Sequence, residues 1–130
     1  MLAEHVIASD VSSVINTTGK SNSWWIHNTL LSLIDEPVYV MTCDNITDLD
    51  FELLGEDYQH QNSPTCMLIG VEPLPELEGD YIFHENNKVY KLDRNEQASL
   101  YCSGLQIINP FQVKKLTNDR GDFYNIWEQL

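Results

Sequence analysis

The chain has 130 residues, 42% hydrophobic and 21% charged, which is long enough for one domain with a core of its own and too apolar for wholesale disorder. Twenty acidic side chains against seven basic ones give a formal charge of −13. A surface of that sign repels polyphosphate backbones and anionic lipid, which disfavours nucleic-acid and membrane-surface binding as the main activity. No apolar run approaches the length of a membrane-spanning helix, and the three cysteines, Cys43, Cys66 and Cys102, show no C-x-x-C or Cys/His zinc spacing. They read as buried free thiols of a cytoplasmic protein.

Residues 1 to 20 pass from a mildly apolar H-V-I-A into a polar stretch, which predicts a short strand and then a loop. Ser21 to Ser23 offer N-cap side chains to a helix through W-W-I-H-N-T-L-L-S-L-I, whose apolar positions are too many for one narrow stripe and predict packing on more than one neighbour. Pro37 stops it. Val38 to Cys43 is continuously apolar apart from Thr42, the signature of a strand covered on both faces, as in a parallel sheet. Thr47 or Asp48 can cap a second helix, L-D-F-E-L-L-G-E-D-Y-Q, which Asn62-Ser63-Pro64 ends. Thr65 to Val71 is a second apolar strand, so helix, strand, helix, strand in succession points to a βαβ-type arrangement. Gly79 to Leu92 alternates about Asn86-Asn87, residues that tolerate the positive φ of a tight hairpin turn. Leu100 to Asn109 is a further strand whose Gly104 marks a bulge or a close approach. Pro110 opens a short helix, and D-F-Y-N-I-W-E-Q-L closes the chain as an amphipathic segment.

Three stretches carry a family likeness. V-Y-V-M-T-C-D-N resembles an apolar strand ending in G-D-N, E-G-D-Y-I-F-H-E-N-N-K-V resembles a sugar-binding hairpin, and Y-C-S-G-L-Q-I-I-N-P resembles the strand and helix start that follow it, all in the sugar-phosphate nucleotidylyltransferases. The likeness covers the chain from about Ser21 onward. It implies an α/β fold of the nucleotide-diphospho-sugar transferase type, a partial, mostly parallel Rossmann-like sheet with a β-hairpin, flanked by helices. It also implies the family's reaction, nucleoside triphosphate plus sugar 1-phosphate giving nucleotide sugar and pyrophosphate. Carried over residue by residue, Asp44 stands where the family holds its catalytic magnesium, with Asn45 beside it. Gly79 matches a hairpin glycine that lets a main-chain N–H approach the sugar, and Gly104 the glycine of the next strand near the same pocket.

The departures are as informative. The glycine-rich loop that grips the triphosphate has no counterpart in these residues, and where the family carries E-K-P this chain has K-L-D-R-N-E, with Arg94 in place of the glutamate or the lysine. The expectation is therefore the middle and later part of a nucleotidyltransferase domain, as a fragment, a shortened gene product or a family member that lost its chemistry, inactive by itself, whose unpaired sheet edge favours homo-oligomerisation. The competing expectation is a non-catalytic acidic α/β interaction module. A phosphatase of the haloacid-dehalogenase type needs a D-x-D pair that D-N-I-T-D lacks. Without the likeness, Asp44 is a turn or helix-cap residue, the glycines are conformational, and His5, His27, His60 and His84 share no ligand spacing.

Overall fold

The computed structural model describes residues 11–43, 48–74 and 79–130. In chain order these form α1 (Trp24–Asn28), a 3-10 turn (Leu30–Leu33), β1 (Val38–Val40), α2 (Phe51–His60), β2 (Cys66–Val71), β3 (Tyr81–Glu85), β4 (Lys88–Asp93), β5 (Leu100–Ile108), α3 (Pro110–Leu116) and α4 (Phe123–Trp127). The strand expected before residue 10 lies outside the described residues.

Among the described residues the sheet has five strands and every pairing in it is antiparallel. This overturns the mostly parallel Rossmann-like sheet. β1 and β2 do run in the same direction and are joined through helix α2, as a parallel crossover would have them. β5 lies between them, however, with Val38 and Cys66 both opposite Ile108 and Val40 and Leu68 both opposite Gln106. Apolar runs report burial on both faces but not which strand is inserted between them, and here the inserted strand arrives last and runs the other way. β2 follows one edge of β5. β1 and β3 share the other edge end to end, β1 opposite Gln106–Ile108 and β3 opposite Leu100–Tyr101, and β4 pairs β3 on the outside.

Alternation along the strands assigns the faces. Val38, Val40, Cys66 and Ile108 turn toward α1, α3 and α4, where Ile26, Val113, Phe123 and Ile126 complete the core and Trp25 and Trp127 pack against it. Gln106 is buried on this face, and its Oε1 accepts from Trp127 Nε1 at 2.9 Å. Tyr39 turns the other way, toward α2: its ring meets Phe51 edge-on at 5.1 Å and its hydroxyl donates to the Phe51 carbonyl.

Local chemistry explains the element ends. The first helix is shorter than its apolar pattern suggests. Thr29 is extended, its Oγ1 accepting from Leu31 N and donating to Trp25 O, so the chain breaks into a 3-10 turn and leaves Leu30 and Leu33 exposed. Ser23 sits at the N-cap position without capping; its buried Oγ instead donates to Gly121 O at 2.5 Å, tying α1 to the start of α4. Asp50, rather than Asp48, caps α2 by accepting from Leu53 N, and Thr47 lies outside the described residues. Asn62 and Ser63 take positive φ where α2 ends, and Asn86 and Asn87 do so in the β3–β4 turn. Asn109 caps α3 with Pro110 at its first position. Of the three thiols expected to be buried, Cys43 is exposed and Cys66 and Cys102 are partly covered.

Candidate functional site

The long central strand is irregular at one place. Leu68 faces Gln106 and Gly70 faces Cys102, so a single residue of β2, Ile69, spans three of β5, Ser103 to Leu105. The extra residues form a bulge with Gly104 at its centre, at φ +83°, a conformation that L side chains rarely adopt. Ser103 closes the bulge, its Oγ donating to Ile69 O at 2.7 Å and accepting from Leu105 N at 3.2 Å.

On the other edge of β5 the bulge falls in the interval between two strands. β1 pairs as far as Val40 opposite Gln106. β3 begins opposite Tyr101, with Asp80 O accepting from Cys102 N at 2.8 Å. The end of β1 at Gln106 and the start of β3 at Tyr101 therefore flank the bulge on this edge. Asp44 and Asn45 follow β1 in the chain and lie outside the described residues.

Gly79 stands one residue before Asp80. A Cβ there would come within 2.6 Å of Cδ2 of Tyr101, so the ring of the facing strand occupies the space a side chain needs. Arg94 is held by its own neighbours: Nε meets Asp80 Oδ1 at 2.6 Å, Nη2 approaches Asp122 Oδ2 at 3.6 Å, and the guanidinium lies 4.4 Å over the ring of Tyr124. The hydrogen bond that Arg94 donates to Asp80 is the main reason its pKa is raised. This cluster fastens the end of the β3–β4 hairpin to α4. Cys102, next to the bulge, has its thiol pushed up to about 12, first by burial and then by the Asp80 charge. It is a poor nucleophile in that setting.

Register thus brings Gly79 and Gly104 to one edge of β5, a few residues apart along the strand. Asp80, Tyr101, Asp122 and Tyr124 join them and were not singled out from the sequence. Only the bulky Tyr101 in a half-exposed strand hinted at a small partner opposite, and nothing signals a pairing of Arg94 with Asp122 across 28 positions. The carboxylates and thiols do not converge further: among the described residues no three His, Cys, Asp or Glu side chains are grouped so as to hold a metal ion. An open groove of about 880 Å³ lies elsewhere, between β2, β4 and the C-terminal residues, lined by Leu68, Tyr90, Leu116, Trp127 and Leu130 among others, and it includes none of Gly79, Arg94 and Gly104.

No helix among the described residues is long and apolar enough to cross a membrane. Comparison with protein-family models, with curated proteins and with solved structures returns no match.

Proposed function

We propose that the sheet edge at the Gly104 bulge is a phosphosugar- and nucleotide-binding site of the nucleotidyltransferase kind, in a chain that does not complete the reaction alone. The observation that carries this reading is that the end of β1, which Asp44 and Asn45 follow in the chain, flanks a bulge that has a glycine at its centre. Bulges gather beside functional sites because they re-aim backbone groups, and a glycine lets a ligand approach those groups closely. The antiparallel sheet lends no support of its own; the reading stands on the local arrangement and on the likeness of the three sequence stretches.

In this reading the nucleoside triphosphate and sugar 1-phosphate meet at the bulge, and Asp44 contributes one carboxylate to magnesium, a hard cation that keeps most of its ligands as water. Magnesium held there would offset part of the phosphate charge, which an excess of acidic side chains otherwise opposes. A phosphate reaching Arg94 competes with Asp80 for the guanidinium, so binding there exchanges one anion for another. Calorimetry with ATP and with glucose 1-phosphate, each with magnesium chloride, tests the proposal. Heat that vanishes in Asp44→Ala, in a variant that melts like the parent, is the expected result; no heat with either compound refutes it. The second reading, a non-catalytic interaction module, is favoured by the apolar surface that β1 and α2 leave in solvent.

A further inference from the structure

Between Ser21 and Asn87 the chain contains no lysine or arginine and thirteen aspartates and glutamates. This stretch supplies α1, β1, α2, β2 and β3, and the segment around β1 and the start of α2 carries Glu36, Asp48, Asp50 and Glu52 with no lysine or arginine of its own. Within it, Tyr39, Met41 and Phe51 are 42%, 52% and 47% exposed. Tyr39 and Met41 alternate onto the same side of the sheet, and Phe51 packs edge-on against Tyr39. The strand beneath them pairs with β5 on one edge only: among the described residues no strand pairs the other edge of β1. β1 is short and follows Pro37, but Val38-Tyr39-Val40 itself carries no lysine, proline or bulge that would discourage pairing.

We infer that the β1 edge, with the Tyr39, Met41 and Phe51 surface beside it, docks an extended basic segment of a partner protein. The segment adds as a strand to β1, places an apolar side chain against Met41 and the Tyr39–Phe51 pair, and sets lysine or arginine near Glu36, Asp48, Asp50 and Glu52. Strand addition draws affinity from main-chain hydrogen bonds and specificity from alternate side chains. Charge decides the occupant. A second copy of this chain on the same surface would face acid with acid, and like charges brought together at an interface oppose association. A basic strand meets complementary charge along the whole rim.

The probe is a fluorescein-labelled peptide of four Val-Lys repeats, with four Gly-Lys repeats as a control of equal charge, followed by fluorescence anisotropy at low and physiological salt. The Val-Lys peptide is expected to bind at least tenfold more tightly than the Gly-Lys peptide and to weaken several-fold as salt rises, since exposed charges are screened. Met41→Lys, which puts a cation into the apolar surface, and Glu52→Lys, which alters the rim alone, should each weaken binding with circular dichroism and melting unchanged. Equal binding of the two peptides reduces the effect to polyelectrolyte attraction and overturns the inference. So does indifference to both substitutions, failure of the Val-Lys peptide to bind, or a dimer by light scattering that Met41→Lys dissolves. None of these results depends on nucleotide binding at Gly104.

Discussion

Replacing Gly104 by alanine tests the bulge directly. The residue holds φ at +83°, where a Cβ crowds the backbone, and the ordinary cost of placing a non-glycine residue in left-handed space is about 1–2 kcal/mol. Alanine also restricts the unfolded chain, which returns about 0.4–1 kcal/mol when the native conformation suits it and nothing useful when it does not. The net expectation is a loss of about 1 kcal/mol or somewhat more, a fall in melting temperature of roughly 4–6 °C for a domain of this size. Gly70→Ala, across the ladder, is the control: its Cβ would meet the Leu100 and Ile82 side-chain methyls at 3.3 and 3.4 Å, and those groups can give way. Urea denaturation followed by circular dichroism measures both variants. A Gly104→Ala protein as stable as the parent, or more so, would show that the strand does not require the left-handed turn, and the bulge would lose its claim to be a built feature. If instead stability falls as expected while calorimetric binding of ATP is untouched, the bulge is structural and the functional reading fails.

Three further outcomes follow from particular contacts. Burial is the main cause lowering the pKa of His27 below its ordinary 6.5, opposed by Asp119 and assisted by Lys114, and its Nε2 lies 3.4 Å from Thr117 Oγ1. The unfolded chain therefore takes up that proton first. His27 contributes stability that is complete above pH 6.5 and is lost as pH falls through the lower folded value, so the drop in urea midpoint between pH 7.5 and 5.5 should shrink in His27→Asn. Burial pushes the Cys66 and Cys102 thiols up to about 12, while Cys43 is exposed. Ellman's reagent should consume one equivalent quickly in the native protein and all three only in guanidinium, and Cys43→Ser should abolish the fast phase. Ser23→Ala leaves the Gly121 carbonyl without its buried donor and should cost about 1–2 kcal/mol by urea denaturation, whereas a neutral effect would show that α1 and α4 are held by their apolar contacts alone.

Where a feature depends on one or two residues, the sequence was readable. Asn86-Asn87 carries its own backbone preference, and the turn follows with φ of 51° and 61°. Gly104 marks a bulge because no other residue is at ease there, and Pro110 opens a helix because its missing N–H is not needed at that position. Features decided by a distant partner were not readable. The direction of the sheet depends on β5 lying between β1 and β2, and neither apolar run records what lies beside it. The first helix ends early because the Thr29 hydroxyl bonds the backbone on both sides, in a stretch whose apolar periodicity continues unbroken. Gly79 looked like a place for a ligand, and its facing neighbour is the ring of Tyr101. Arg94 looked available for phosphate, and Asp80, Asp122 and Tyr124 surround it, brought there by the hairpin and by α4.

The placement of β5 has a consequence for how the chain is made. The strand to which β1, β2 and β3 all pair is the last of the five to leave the ribosome, and Val38 waits for Ile108, seventy positions later. During synthesis the apolar segments around Val38 and Cys66 emerge with their hydrogen-bonding partner not yet translated. Assembly dominated by such remote pairings is slow and leaves sticky intermediates exposed. The nascent polypeptide thus depends most on chaperone shelter in the interval before residue 108 appears, and a pause in translation just upstream of Leu100 would lower the yield of folded protein more than one placed after Leu116.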